Sequence, residues 1–186
     1  MSIMSKFILV TLIALFTFNF AMAKDGKYHI AVNITNPLGA YTKYGGGAEL
    51  RVRQSAWMIS GVKYNGIYAG KQFRFEYQKY IKTNKRHENF FYVKMCGGDA
   101  TYDGSKLSIL DDKTKTVIGP VNYVGGGAGV GRRLNYNHFF LMFNLGAKYM
   151  FLPPDFPDEY HERFRYFYST GPGAVIDLNM RLGIQF

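Results

Sequence analysis

Over residues 176–186 the chain alternates without a break: Ile176, Leu178, Met180, Leu182, Ile184 and Phe186 fall on one parity, Asp177, Asn179, Arg181, Gly183 and Gln185 on the other. Successive side chains of an extended chain point to opposite faces, whereas a helix would scatter these six apolar residues around its whole circumference. The stretch is therefore a strand with one wholly apolar face and one face that holds both charges. Its length matches the ~9–11 residues a tilted strand needs to cross a bilayer.

The same design recurs along the chain. Tyr28, Ile30, Val32 and Ile34 alternate with His29, Ala31, Asn33 and Thr35; Ala48, Leu50 and Val52 alternate with Glu49, Arg51 and Arg53. Phe73, Phe75 and Tyr77 alternate with Arg74, Glu76 and Gln78, and Phe139, Leu141, Phe143, Leu145 and Tyr149 stand against Asn144, Gly146 and Lys148. Such segments predict about eight strands, centred near Val32, Leu50, Ser60, Phe75, Val93, Ala128, Phe143 and Met180, an even number as in bacterial outer-membrane barrels. The expected connectors alternate in length. Gln54-Ser55, Thr83 to Glu88 and Arg133 to Asn137 are short, while Asp103 to Lys115 and Phe151 to Pro172 are long and carry the Gly and Pro residues that leave a ladder. The first two long-end loops, near Asn36 to Lys43 and Asn65 to Gly70, are modest.

Inside a bilayer no water is available to an unpaired N–H or C=O, so strands span it only when the sheet closes on itself and leaves no edge. The predicted fold class is thus all-β, an eight-stranded antiparallel transmembrane β-barrel whose lumen is just wide enough for side chains to fill. Apolar side chains then face lipid. Glu49, Arg51, Arg53, Lys63, Arg74, Glu76, Lys94, Lys148, Asp177 and Arg181 are expected to form a lumenal network of paired charges. The 15 Tyr, 16 Phe and one Trp exclude a disordered chain and suit aromatic girdles at the two interfaces.

The N-terminus reads as an address. Lys6 precedes an apolar run from Phe7 through Phe20 that ends in Ala21-Met22-Ala23, a small-x-small cleavage pattern. Residues 1–23 are expected to be a cleavable signal peptide and 24–186 the barrel domain. A single cysteine, Cys96, can close no internal disulfide and is expected to face the lumen as an isolated small side chain.

A signal peptide, about eight amphipathic strands and a last strand ending Leu182-Gly183-Ile184-Gln185-Phe186 together resemble the small bacterial outer-membrane β-barrel proteins, of the OmpA/OmpX-like, porin-like kind. The resemblance spans the whole mature chain. It implies an outer-membrane location, and it implies that Met180, Leu182, Ile184 and Phe186 act as the signal read by the barrel-assembly machinery. Members of that family serve structural, adhesive, protective and enzymatic roles, so the resemblance implies fold and place more than activity.

Other motifs fail on their chemistry. The run Gly125-Gly126-Gly127-Ala128-Gly129-Val130-Gly131-Arg132-Arg133 lacks the Lys-Ser/Thr of a P-loop and the spacing and following helix of a dinucleotide fingerprint, so its glycines are expected to relieve crowding where the barrel curves. His161-Glu162 has Arg165 where a zinc protease places its second His. The histidines His29, His87, His138 and His161 lie on separate segments, and Ser60 and Ser169 have no evident base. No cofactor and no metal are expected, and no enzymatic activity. The net charge of +10 is spread over strands and turns rather than gathered in a stripe, which argues against a nucleic-acid partner. Lipopolysaccharide phosphates are the expected use of Lys43, Lys113, Lys115, Arg163 and Arg165. The aromatic loop holding Phe156, Tyr160, Phe164, Tyr166, Phe167 and Tyr168 is either an interaction surface for an extracellular ligand or an extension of the final hairpin. The leading expectation is a monomeric structural or surface-binding protein that meets membrane lipids. The alternatives are a narrow porin-like channel, a lipid A-modifying enzyme, and a soluble lipocalin-like barrel with the opposite facing of its side chains.

Overall fold

A computed structural model describes residues 28–35, 43–81, 86–104, 117–153, 167–168 and 171–186. The expected signal peptide lies outside these residues, as do Lys113, Lys115, Arg163, Arg165, His161, Ser169 and the aromatics Phe156, Tyr160, Phe164 and Tyr166.

Eight strands follow one another in chain order: β1 (Tyr28–Thr35), β2 (Lys43–Val52), β3 (Ser55–Tyr64), β4 (Tyr68–Ile81), β5 (His87–Asp103), β6 (Val117–Tyr136), β7 (Phe139–Phe151) and β8 (Ile176–Gln185). Each pairs antiparallel with its neighbour, and β1 closes on β8 from Ala31↔Gln185 to Thr35↔Arg181. The sheet therefore has no edge strand, which removes the unpaired backbone groups that water or another chain would otherwise satisfy. All eight expected strand centres fall inside these elements.

The alternation resolves into two surfaces. Outward stand Ile59 (66% exposed), Phe73 (68%), Met95 (66%) and Leu178 (67%), together with Val32, Phe75, Val93, Phe143, Leu145 and Leu182. Inward stand Glu76 (1%), Arg181 (0%) and Arg133 (1%), with Gln72, Gln78, Asn144 and Asn179. A soluble lipocalin-like barrel needs the reverse arrangement, so this facing overturns that alternative. Aromatic rings mark both rims of the exterior. Trp57, Tyr77, Tyr136, Phe139 and Phe186 lie toward the end that holds the termini, and Tyr44, Tyr149 and Phe151 toward the other. The outward charged residues also lie away from mid-strand: Lys63 and Lys71 pair across β3 and β4 near the loop end, while Lys79 and Arg132 lie toward the turn end.

The turns at the terminus-bearing end are tighter than their composition suggests. Arg53 and Asn137 adopt left-handed backbone (φ 57° and 53°) in two-residue connections, Arg53-Gln54 and Asn137-His138. The ladder therefore runs further than expected. Ser55 opens β3, Glu88 belongs to β5, and Arg133 to Tyr136 complete β6. At the opposite end β3 and β4 are joined by Asn65–Ile67 alone, whereas the β5–β6 and β7–β8 connections are long.

Glycines let the wide side chains of the lumen lie flat. Phe90 spreads over Gly131, Tyr92 over Gly129 and Gly146, and Phe140 over Gly183; a Cβ at these positions would stand 2.2, 2.8, 2.5 and 2.3 Å from the ring or its hydroxyl. Within the run from Gly125 to Gly131 the inward positions are Gly125, Gly127, Gly129 and Gly131, of which Gly129 and Gly131 lie under aromatic rings.

Candidate functional site: the lumenal charge network

Because every second residue of each strand points inward, polar side chains from all eight strands meet in one narrow column. Lifting an ion from water into such an interior costs several kcal/mol unless a partner and further hydrogen bonds compensate it. The lumen meets this demand in layers.

At the turn end Arg51 makes a bidentate bond to Glu88, with Nη1–Oε2 2.7 Å and Nη2–Oε1 2.6 Å, and Asn135 donates to Glu88 at 2.9 Å. The Arg51 guanidinium also lies 3.9 Å from the Tyr80 ring centroid. The next layer joins Arg133 to Glu49, with Arg133 Nη2 donating to Gln185 Oε1 at 2.8 Å and its guanidinium 3.9 Å from the Phe140 ring centroid. At mid-height Arg181 holds Glu76 through Nη1–Oε1 at 3.0 Å and Nη2–Oε2 at 2.7 Å; Gln78 and Asn144 donate to the same carboxylate at 2.6 and 3.3 Å. Bidentate arginine–carboxylate pairs of this kind are the strong form of the interaction.

The outer half is different. Asp177 accepts from Lys94, from Tyr92 Oη at 2.6 Å and from Asn179 Nδ2 at 2.7 Å. Asn179 Oδ1 in turn accepts from both Lys43 Nζ (2.8 Å) and Arg74 Nη1 (3.0 Å), and Arg74 Nε donates to Gln72 Oε1 at 2.6 Å. Lys148 Nζ donates to the Pro172 carbonyl at 2.8 Å. Above these cations an aromatic cap closes the column. Phe167 is fully buried edge-on to Tyr68 and Tyr123, with centroids 5.9 and 5.2 Å apart, and Tyr68 meets Tyr102 at 5.6 Å.

Of the residues expected in the lumen, Glu49, Arg51, Arg74, Glu76, Lys94, Lys148, Asp177 and Arg181 all point into it. Two do not. Arg53 is exposed, because β2 ends at Val52 and the left-handed turn carries its side chain off the end of the barrel; only its carbonyl takes part, accepting from Arg51 Nε at 3.1 Å. Lys63 is exposed on the outer wall in line with Trp57 and Ile59, since the inward face of β3 holds Ala56, Met58, Ser60, Val62 and Tyr64. Lys43, expected in an outer loop, is an inward residue of β2. Sequence reasoning missed Arg133 and Glu88 because their polar surroundings resemble a turn. Counting parity back from Val130 and Phe91 would have recovered both. Cys96 is buried on the inward face. Met180, Leu182, Ile184 and Phe186 share the outward face of β8, and the Phe186 N–H donates to the Ile30 carbonyl at 2.9 Å across the closing seam.

A closed antiparallel barrel with an apolar exterior, two aromatic rims and a packed ionic lumen defines the class of outer-membrane-type eight-stranded β-barrels. Its fold is similar to the crystal structure of the N-terminal β-barrel domain of Pseudomonas aeruginosa OprF, with a TM-score of 0.54 and 10% sequence identity over 86% of this chain and 96% of that domain. No family model matches the chain, and no curated protein sequence matches it. The likeness is one of fold.

Proposed function

We propose that this chain is an integral protein of a bacterial outer membrane, exported by a cleaved signal peptide, with a non-enzymatic structural or surface-binding role exercised through its outer loops. The observation that supports this reading is the division of exposure: Leu178 and Phe73 lie more than two-thirds bare on the wall while Arg181 and Glu76 are sealed inside. Water would not tolerate that wall, and acyl chains suit it. A lumen crossed by ion pairs and capped by Phe167 leaves the loops as the parts free to meet partners. On this reading membrane lipids cover the wall, the barrel-assembly machinery reads the outward residues of β8, and the barrel acts as a monomer. Lipopolysaccharide phosphates then meet Lys63 and Lys71, which face each other directly across two strands near the loop end. Like charges so placed repel unless an anion lies between them.

The test is cell fractionation of the full chain in a Gram-negative host, followed by planar-bilayer recording of the refolded barrel. The expected result is an outer-membrane protein that resists urea extraction, shifts on a gel when heated, and leaves the bilayer electrically silent. Recovery in the soluble periplasm overturns the membrane reading. Stepwise conductance replaces the structural role with a narrow channel, and a changed lipid A mass in overproducing cells replaces it with a lipid-modifying enzyme.

A further inference from the structure

The layers of the lumen are not electrically alike. Toward the turn end and at mid-height each cation has a carboxylate of its own: Arg51 with Glu88, Arg133 with Glu49, Arg181 with Glu76. In the outer half, among the described residues, Lys43, Arg74, Lys94 and Lys148 converge on a single carboxylate, Asp177, which is already engaged by Lys94. Among the described residues Lys43, Arg74 and Lys148 make no ion pair. Their acceptors are neutral oxygens: Asn179 Oδ1 shared by two of them, Gln72 Oε1, the Tyr64 hydroxyl and the Pro172 carbonyl.

The four cations form one group rather than four separate ones. Lys94 and Lys148 flank Gly127 in a single row across β5, β6 and β7, and Gly127 brings no side chain to the space between them. Asn179 ties Lys43 and Arg74 to Asp177, and Asp177 ties them to Lys94. Arg74 and Lys94 are nearly devoid of exposure at 2% and 4%, and Lys148 is at 5%. Neutral oxygens satisfy the N–H donors but leave the charge, and an uncompensated buried charge is strongly destabilising. The same pattern of convergent guanidinium and ammonium donors is what a tetrahedral oxyanion needs, the guanidinium through its planar fork and the ammoniums as point charges.

We infer that the outer half of the lumen is a binding site for a small free oxyanion of the phosphate or sulfate class, held among Lys43, Arg74, Lys94 and Lys148 beneath the aromatic cap. The site is internal to the barrel and so stands apart from the loop-borne role proposed above, and it survives if that role fails.

The variant that tests it supplies the missing negative charge from within. Gln72→Glu keeps the size of the side chain and keeps an oxygen for Arg74 Nε and the Tyr64 hydroxyl, while the Tyr123 hydroxyl that accepts from Gln72 Nε2 can turn to donate. Asn179→Asp adds its charge beside both Lys43 and Arg74 but loses the Nδ2 donor to Asp177, so it is the second variant. The full chain is refolded in detergent with inorganic phosphate, sulfate or chloride at matched ionic strength. Binding is read by equilibrium dialysis of labelled phosphate, and stability by the temperature of the gel shift. Wild type is expected to bind phosphate saturably at one site per barrel and to gain stability with phosphate or sulfate beyond chloride. Gln72→Glu is expected to fold, to bind about tenfold or more weakly, and to be more stable than wild type when only chloride is present. Lack of saturable binding overturns the inference, as does equal stabilisation by chloride. Binding untouched in both substituted barrels also overturns it, because that would place the phosphate on surface lysines as an adventitious ion only.

Discussion

At the residue scale the mid-lumen pair decides how charge is carried inside this barrel. Arg181 is wholly buried, and its guanidinium grips both oxygens of Glu76. Removing one partner of such a pair leaves the other uncompensated, at a cost of about 3–5 kcal/mol, whereas replacing both with apolar groups of similar volume is often close to neutral. Arg181→Met is therefore expected to lower unfolding stability by about that amount, and Glu76→Leu likewise. The double variant is expected to recover most of the loss, because Met142 already offers an apolar neighbour to the same space. Urea titration of the four proteins in phospholipid vesicles, read as a double-mutant cycle, checks this. Losses that simply add would mean the pair does not act as a unit.

At the level of elements the glycine lane of β6 separates two kinds of crowding. A Cβ at Gly127 would stand 2.6 Å from the Ala147 carbonyl oxygen and 2.9 Å from the Lys148 Cα, both backbone atoms of the neighbouring strand, so Gly127→Val forces β6 and β7 apart. The expected outcome is loss of the heat-modifiable folded form. A Cβ at Gly131 instead meets the Phe90 ring, 2.2 Å from its Cζ. Gly131→Ala is thus expected to lower the yield of folded barrel and Phe90→Leu to restore it, whereas no single side-chain change rescues Gly127→Val. Gel-shift yields of refolded protein distinguish the two cases. The strands themselves were legible because period-two alternation survives wherever one face meets lipid: β8 reads without an exception over its length. β3 did not read so cleanly. Its inward Ala56, Met58 and Val62 are as apolar as its outward Trp57 and Ile59, so Lys63 gave no parity of its own. Turns were misread for a related reason. Arg132-Arg133-Leu134-Asn135-Tyr136 has the composition of a loop, yet it stays in register with Phe139 to Phe143 until Asn137 turns left-handed. Polarity near the end of a barrel strand signals a lumen-facing side chain as readily as a loop.

For the whole molecule, closure and location are one problem, since a sheet that must hide every backbone group from lipid has to join its first and last strands. Leu145 lies halfway along β7 and is 56% exposed between Val130 and Leu178. In a bilayer Leu145→Arg is expected to cost about 2–4 kcal/mol, the range for a cation on the lipid face at mid-depth, and much less in detergent; equal losses in both media would argue that the wall does not face acyl chains. The seam supplies the sharper separation of physics from recognition. Phe186 contributes one backbone hydrogen bond to Ile30 and an exposed ring beyond the end of β8. One peripheral bond is worth about 0.5–1.5 kcal/mol, too little to prevent folding. If the barrel-assembly machinery reads the strand end as proposed, deleting Phe186 is therefore expected to leave refolding into detergent nearly intact while sharply reducing the folded protein that accumulates in cells. Gel-shift yields in vitro and in the outer-membrane fraction give the comparison. A parallel fall in both would make Phe186 a seam residue and would withdraw the assembly signal from Met180, Leu182 and Ile184 as well.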